Sequence, residues 1–208
     1  IDICGAAIGG EYSISSSSDL KNFIEQIKIC YPVNDVKISL ATGDYLLDSL
    51  SLKNIADVIG NHHLTITSAT GNPEDVTLKY DTNVNSTRYF IVLERTNNVI
   101  FDAITIDVAQ VSKSKTGIGF YDDCENITIN NCIIKVSPNL TSSGYSGIYK
   151  LATKGVLKNI TITNNKIDGG YATIYLNIGT STTNRGNNIL VENNVITSSN
   201  YQSIYISY

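Results

Sequence analysis

The chain has 208 residues, of which 15 are Lys or Arg and 19 are Asp or Glu, giving a formal net charge of -4. That balance excludes a nucleic-acid partner, because phosphate recognition needs clustered cations that release counterions, and the arginines (Arg88, Arg95, Arg185) are scattered. No apolar run reaches the roughly 20 residues of a membrane-spanning helix, so no membrane span is expected in this chain.

The three prolines lie far apart and Ser15 to Ser18 is the one low-complexity run. Nothing resembles a linker, and residues 1–208 are read as a single domain. The chain starts at Ile1 and lacks Met, which predicts a processed or excised piece of a longer product. Much Asn, Ser, Thr and Tyr with little charge predicts an extracellular or cell-surface protein.

Cys4, Cys30, Cys124 and Cys132 lack the CxxC spacing of a zinc or redox motif. Cys4 and Cys30 flank the first predicted helix; a bridge there and a pair of small buried thiols are both open readings. That helix spans 19–29. Leu20, Phe23, Ile24 and Ile27 fall at i, i+3, i+4 and i+7 on one apolar stripe, behind Ser18 or Asp19 as N-cap.

Downstream the sequence repeats itself. Asn98-Val-Ile-Phe-Asp-Ala-Ile, Asn126-Ile-Thr-Ile-Asn-Asn-Cys, Asn159-Ile-Thr-Ile-Thr-Asn-Asn and Asn188-Ile-Leu-Val-Glu-Asn-Asn superimpose, with leading asparagines 28, 33 and 29 residues apart. Such elastic spacing marks coils of a solenoid with insertions confined to loops. Within a repeat, Ile127 and Ile129 alternate with Thr128, so the isoleucines face inward. The following asparagines suit a corner, because Asn tolerates the left-handed conformation. Stacking predicts an amide ladder through Asn131, Asn164 and Asn193.

A further strand per coil is expected at Phe90–Leu93, Ile118–Tyr121, Gly147–Tyr149, Thr173–Tyr175 and Ser203–Tyr205. The fold class predicted is therefore all-β: a right-handed parallel β-helix of about six coils, three strands per coil, with an N-terminal capping helix. A sandwich would need Asn-Gly-type hairpin signals, and none is present. No capping element follows the strand that ends near Tyr208, which predicts more protein beyond it, or end-to-end self-association through the open coil.

The stretches Lys37 to Tyr45, Leu50-Ser-Leu52, Leu64-Thr-Ile66 and Gly71-Asn-Pro-Glu-Asp-Val76, with the asparagine repeats after them, resemble the pectin-lyase-like superfamily from about Asp19 onward. The resemblance implies a β-helix and a role with acidic or complex carbohydrate. It implies no particular activity, since that superfamily spans lyases, hydrolases, tailspikes and adhesins.

Tyr-x-x-Ile-Tyr occurs three times, at Tyr145 to Tyr149, Tyr171 to Tyr175 and Tyr201 to Tyr205. Stacked coils turn these into two ladders of rings. Aromatic faces with a phenol suit sugars, and stacked tyrosines also stabilise neighbouring coils, so both roles stand. Asp122 and Asp123, near Glu94 and Glu125, form a carboxylate group beside that face. The resemblance implies Ca²⁺ held by such carboxylates, with Arg95 or Lys150 as a lyase base; an acid-and-base pair and a solvated turn are the alternatives.

No other cofactor is expected. The Gly-His-Gly and Arg-x-Lys elements of polygalacturonases are absent, as is the Trp-x-Asp-His element of pectate lyases. His62-His63 lacks a third ligand at metal-binding spacing. Four glycosylation sequons start at Asn85, Asn126, Asn139 and Asn159. The function expected is an adhesin-like domain presenting a carbohydrate- or partner-binding face, with the N-terminal part of a polysaccharide lyase or glycoside hydrolase as the alternative. No catalytic residue is assigned.

Overall fold

A computed structural model of the chain describes residues 4, 7–81, 88–109, 115–138, 141, 142, 144–150, 155–178 and 186–207. The expected solenoid is there, in about six coils of three strands. The first sheet holds β1 (Gly10–Ile14), β2 (Val36–Leu40), β5 (Leu64–Ser68), β8 (Thr96–Asp102), β11 (Cys124–Asn130), β14 (Leu157–Thr163) and β17 (Asn187–Glu192). The second holds β3 (Gly43–Leu47), β6 (Val76–Tyr80), β9 (Thr105–Val108), β12 (Ile133–Val136), β15 (Lys166–Asp168) and β18 (Val195–Thr197). The third, which carries the candidate site, holds β4 (Leu50–Lys53), β7 (Tyr89–Glu94), β10 (Thr116–Phe120), β13 (Ile148–Lys150), β16 (Ala172–Asn177) and β19 (Gln202–Ser207).

Neighbouring strands are parallel and stack like on like. Ile127 aligns with Val99 and Ile160, and Ile129 with Phe101 and Ile162. All six are fully buried, whereas Thr128 faces the other way and is half-buried. The period-two alternation thus becomes continuous apolar columns running along the solenoid axis.

The turns are asparagine chemistry. Asn131, Asn164 and Asn193 occupy the same corner with φ of 49°, 58° and 55°, and the leading Asn98, Asn126, Asn159 and Asn188 make a second left-handed kink within β8, β11, β14 and β17, at φ of 57°, 55°, 53° and 52°. The amide ladder runs elsewhere than the sequence suggests. Asn126 Nδ2 donates to Asn98 Oδ1 at 2.7 Å, Asn159 to Asn126 at 2.9 Å and Asn188 to Asn159 at 2.8 Å. A second ladder passes through Asn165 and Asn194, each giving Nδ2 to a backbone carbonyl of the preceding coil (Ile129 and Ile162, 2.9 and 2.8 Å). Asn165 is 1 % exposed, so its amide must be satisfied internally; the first corner residue, Asn164, reaches back to Asn130 Oδ1 instead.

At the N-terminal end α1 (Ser17–Ile27) buries Leu20, Ile24 and Ile27 and packs against β3 and β4. It starts earlier than expected because extended Ser16 is the N-cap: its Oγ accepts from Asp19 N–H at 3.1 Å. Phe23 packs against Tyr12, with ring centroids 4.4 Å apart and the ring planes tilted by 45°. Cys4 and Cys30 are bridged by a disulfide. Cys124 and Cys132 are buried thiols, both with pKa values pushed up to about 12, chiefly by desolvation.

Candidate functional site

The outward face of the third sheet gathers the tyrosines. Register places Tyr149, Tyr175 and Tyr205 in one column, with ring centroids 5.2 and 4.6 Å apart and planes within 25° and 17° of parallel. Tyr171 and Tyr201 stack at 4.9 Å and 14° in a second column. Tyr145 instead lies under the Arg88 guanidinium, which sits 5.0 Å from its centroid and 5.3 Å from that of Tyr149. Arg88 is anchored there, its Nε donating to Gly144 O at 2.7 Å.

The column extends further than the Tyr-x-x-Ile-Tyr motif indicates. Gly119 lies between Val92 and Tyr149 in the register, and a Cβ on it would come within 2.4 Å of Tyr89 Cδ1. The missing side chain makes room for the Tyr89 ring, which stacks on Tyr149 at 6.0 Å and meets Tyr121 edge-on at 6.4 Å. The signal available in the sequence is a lone glycine at the ladder position, one coil before Tyr149.

Because the rings face one another, most of their flat surface is already used. Tyr149 is 2 % exposed, Tyr145, Tyr171, Tyr175 and Tyr205 are half-buried, and Tyr121 and Tyr201 are 40 % and 63 % exposed. The Tyr175 phenol is held above its ordinary value, first by burial and then by the phenols of Tyr205, Tyr149 and Tyr171. Four hydroxyl groups therefore share one electrostatic neighbourhood.

Beside this face, at the corner between the third and first sheets, Asn54, Ala56, Arg95, Asn97 and Asp123 line an open cleft of about 520 Å³. Lys53 Nζ lies 3.0 Å from Glu94 Oε2 and 5.8 Å from the Tyr121 centroid, and Arg95 Nη2 lies 3.8 Å from Glu94 Oε1. Of the two candidate metal ligands, Asp123 accepts the Val156 N–H at 2.6 Å and Asp122 accepts the Asp123 N–H at 3.0 Å. Gly155, at φ 65°, approaches their backbone too closely for any Cβ. Among the described residues no group of three or more His, Cys, Asp or Glu is arranged to hold a metal ion.

Lys150 is not on this face. It is 1 % exposed and stands in register with Phe120 and Leu176, in an inward column where burial lowers its pKa. His62 and His63 lie at 3.9 and 3.6 Å from Asp35, on the first-sheet side. The amides of Asn126 and Asn159 are engaged in the ladder; the sequons at Asn85 and Asn139 lie outside the described residues.

No family model, curated protein or solved structure matches the chain. No helix among the described residues is long and apolar enough to cross a membrane.

Proposed function

We propose that the protein is a non-catalytic, adhesin-like module of the extracellular space or cell surface, which binds an extended carbohydrate along the outward face of the third sheet. The single observation that carries this reading is the row of phenols at Tyr149, Tyr175 and Tyr205, stacked 5.2 and 4.6 Å apart, close to the length of one sugar residue. Since the ring faces are turned on each other and Tyr149 is closed over, the ligand meets the hydroxyls and ring edges of Tyr175 and Tyr205, and the exposed rings of Tyr121 and Tyr201. Phenol groups both donate and accept hydrogen bonds, which suits polyhydroxylated ligands.

Arg95, Asn97, Asn54 and Asp123 in the adjoining cleft add the charged and amide groups that suit an acidic sugar. Ca²⁺ shared between such a glycan and Asp122 or Asp123 belongs to the same proposal, as does kinship with the pectin-lyase-like superfamily, which the coil motif supports. A second reading, the N-terminal part of a polysaccharide lyase or glycoside hydrolase, draws on Arg95 and Asp123 sharing one cleft; release of unsaturated or reducing sugar from an acidic polysaccharide tests it.

The binding reading is tested with Tyr175→Phe, which keeps the stacked ring and removes its hydroxyl. Calorimetry against a glycan found by array screening is expected to show a loss of about fivefold to tenfold, the worth of a hydrogen bond of about 1 kcal/mol, at an unchanged melting temperature. Absence of any glycan ligand, or equal binding by Tyr175→Phe, reduces the phenol row to scaffolding.

A further inference from the structure

The outward face of the second sheet carries its charges in a fixed order. Along one column Lys79, Asp107, Lys135 and Asp168 stand in register on β6, β9, β12 and β15, so the sign alternates from coil to coil at intervals of about 4.8 Å. The neighbouring column runs Thr77, Thr105, Ile133, Lys166. All four strands belong to inner coils, with a paired strand on either side.

Opposite charges side by side in a sheet can pair with one another, yet here they do not. Among the described residues no ion pair joins Lys79, Asp107, Lys135 and Asp168. Lys79 reaches Asp44 instead at 3.5 Å, Asp107 Oδ1 accepts the Ala109 N–H at 3.0 Å, and Asp168 Oδ1 accepts the Thr197 hydroxyl at 2.6 Å. Lys135 and Lys166 are exposed and form no ion pair among the described residues, whereas Lys21, Lys28, Lys37 and Lys53 each form one.

Glu74 presents a further carboxylate to this face. Its 3₁₀ turn, Pro73–Asp75, is pinned to β9 by Thr105 Oγ1, which donates to Pro73 O at 2.7 Å, while Asp75 accepts from Thr70 Oγ1 and Asn72 Nδ2 at 2.6 and 3.0 Å. Exposed Glu74 is thereby held at the rim of a trough of about 310 Å³ that Thr77, Ile133, Lys135 and Lys166 also line.

We propose that this face binds a second copy of the chain, in an antiparallel pair whose two-fold axis runs along the strands between β9 and β12. That rotation reverses the order of the coils and keeps each column opposite itself. Asp107 then faces the partner's Lys135 and Lys79 faces the partner's Asp168, each contact occurring twice. In the neighbouring column Thr77 faces the partner's Lys166, and the trough gives that lysine room to reach Glu74. Reversing an alternating row of four turns every charge onto its opposite, so the face is complementary to itself. A polyanion or a polycation would be repelled at every second coil. Exposed ion pairs are individually weak and screened by salt, so the association is reversible and favoured by low ionic strength. It uses neither the tyrosine row nor its adjoining cleft, and does not depend on their ligand.

The test is sedimentation of the full chain at low and high salt. A dimer is expected at low salt that dissociates at high salt. Asp107→Lys and Lys135→Asp, with folding checked by melting temperature, are each expected to weaken self-association tenfold or more, because each sets like charges against one another twice. An equimolar mixture of the two variants is expected to form a heterodimer at least as tight as the parent dimer, since opposite signs then meet at both contacts. Glu125→Lys and Lys158→Glu make the same changes of net charge on the first sheet and are expected to leave self-association unaltered, alone or mixed. Four results overturn the proposal: a parent protein that stays monomeric at millimolar concentration and low salt; a dimer that survives either second-sheet substitution; a mixture of the two variants no tighter than its parts; or equal effects from the first-sheet pair, which marks net charge alone as the cause.

Discussion

The inner coils and the last coil are built from the same residues and differ in what lies on either side of them. Ile148 and Ile204 occupy one column with identical side chains, one fully buried and the other 45 % exposed. Among the described residues, Asn126 both gives and receives an amide hydrogen bond, whereas Asn188 only gives one. In a solenoid a residue's contribution is thus set by the coil that follows as much as by its own coil, as expected when stability is a sum over neighbouring interfaces.

The sharpest way to break the comparison is to put the same charge at an inner position and at the last position of one column. Ile148→Asp is expected to unfold the protein, because an unpaired carboxylate in a closed core costs several kcal/mol. Ile204→Asp keeps its carboxylate near water and loses only part of one apolar contact, on the order of 1 kcal/mol. Urea denaturation of the two variants measures the difference, and equal losses would remove the distinction between inner and last coils.

A smaller effect is expected on the amide ladder. Asn126→Ala removes the donor to Asn98, strips Asn159 of its acceptor and places Ala in a left-handed backbone, for a combined loss of about 2 kcal/mol. Asn188→Ala shares the backbone strain and leaves only Asn159 Oδ1 without its donor, so it should cost less by about 1 kcal/mol. Chemical denaturation midpoints at matched slope report both.

The smallest effect is on pH dependence. Burial, first among the causes, raises the phenols of Tyr45, Tyr89 and Tyr175 above their ordinary value of 10.0. The folded state therefore holds these protons more tightly than the unfolded chain. Their contribution is complete below pH 10 and is lost as pH rises through the folded values. Melting temperature should be level up to that point and fall above it, and Tyr89→Phe should flatten the fall. An unchanged slope in the variant would show that Tyr89 titrates alike in both states.

Much of this architecture is legible in the residues alone. The asparagine repeats set three strands per coil and the inward isoleucines, because a period of two and a repeat of about thirty residues leave few other arrangements. The Tyr-x-x-Ile-Tyr motifs announce the stacking of Tyr149, Tyr175 and Tyr205. Less legible is the helix N-cap, which falls at Ser16 because the serine run offers several caps of similar quality and only backbone geometry chooses among them. The placement of Lys150 is also hidden, since a lysine following an Ile-Tyr pair does not reveal that its column is occupied by Phe120 and Leu176 one coil away.

The sequence by itself determined the coil, its corners and the isoleucine columns, since these follow from local alternation and from asparagine's tolerance of left-handed backbone. Only the tertiary structure decided which neighbours meet across coils: that Gly119 admits the Tyr89 ring, that Arg95 and Asp123 share a cleft, and that the amide ladders run through Asn126 and Asn165 rather than Asn131 and Asn164. The physical reason is register. Contacts between coils depend on the length of every intervening loop, and loop length varies without any trace in the local pattern of the strands it joins.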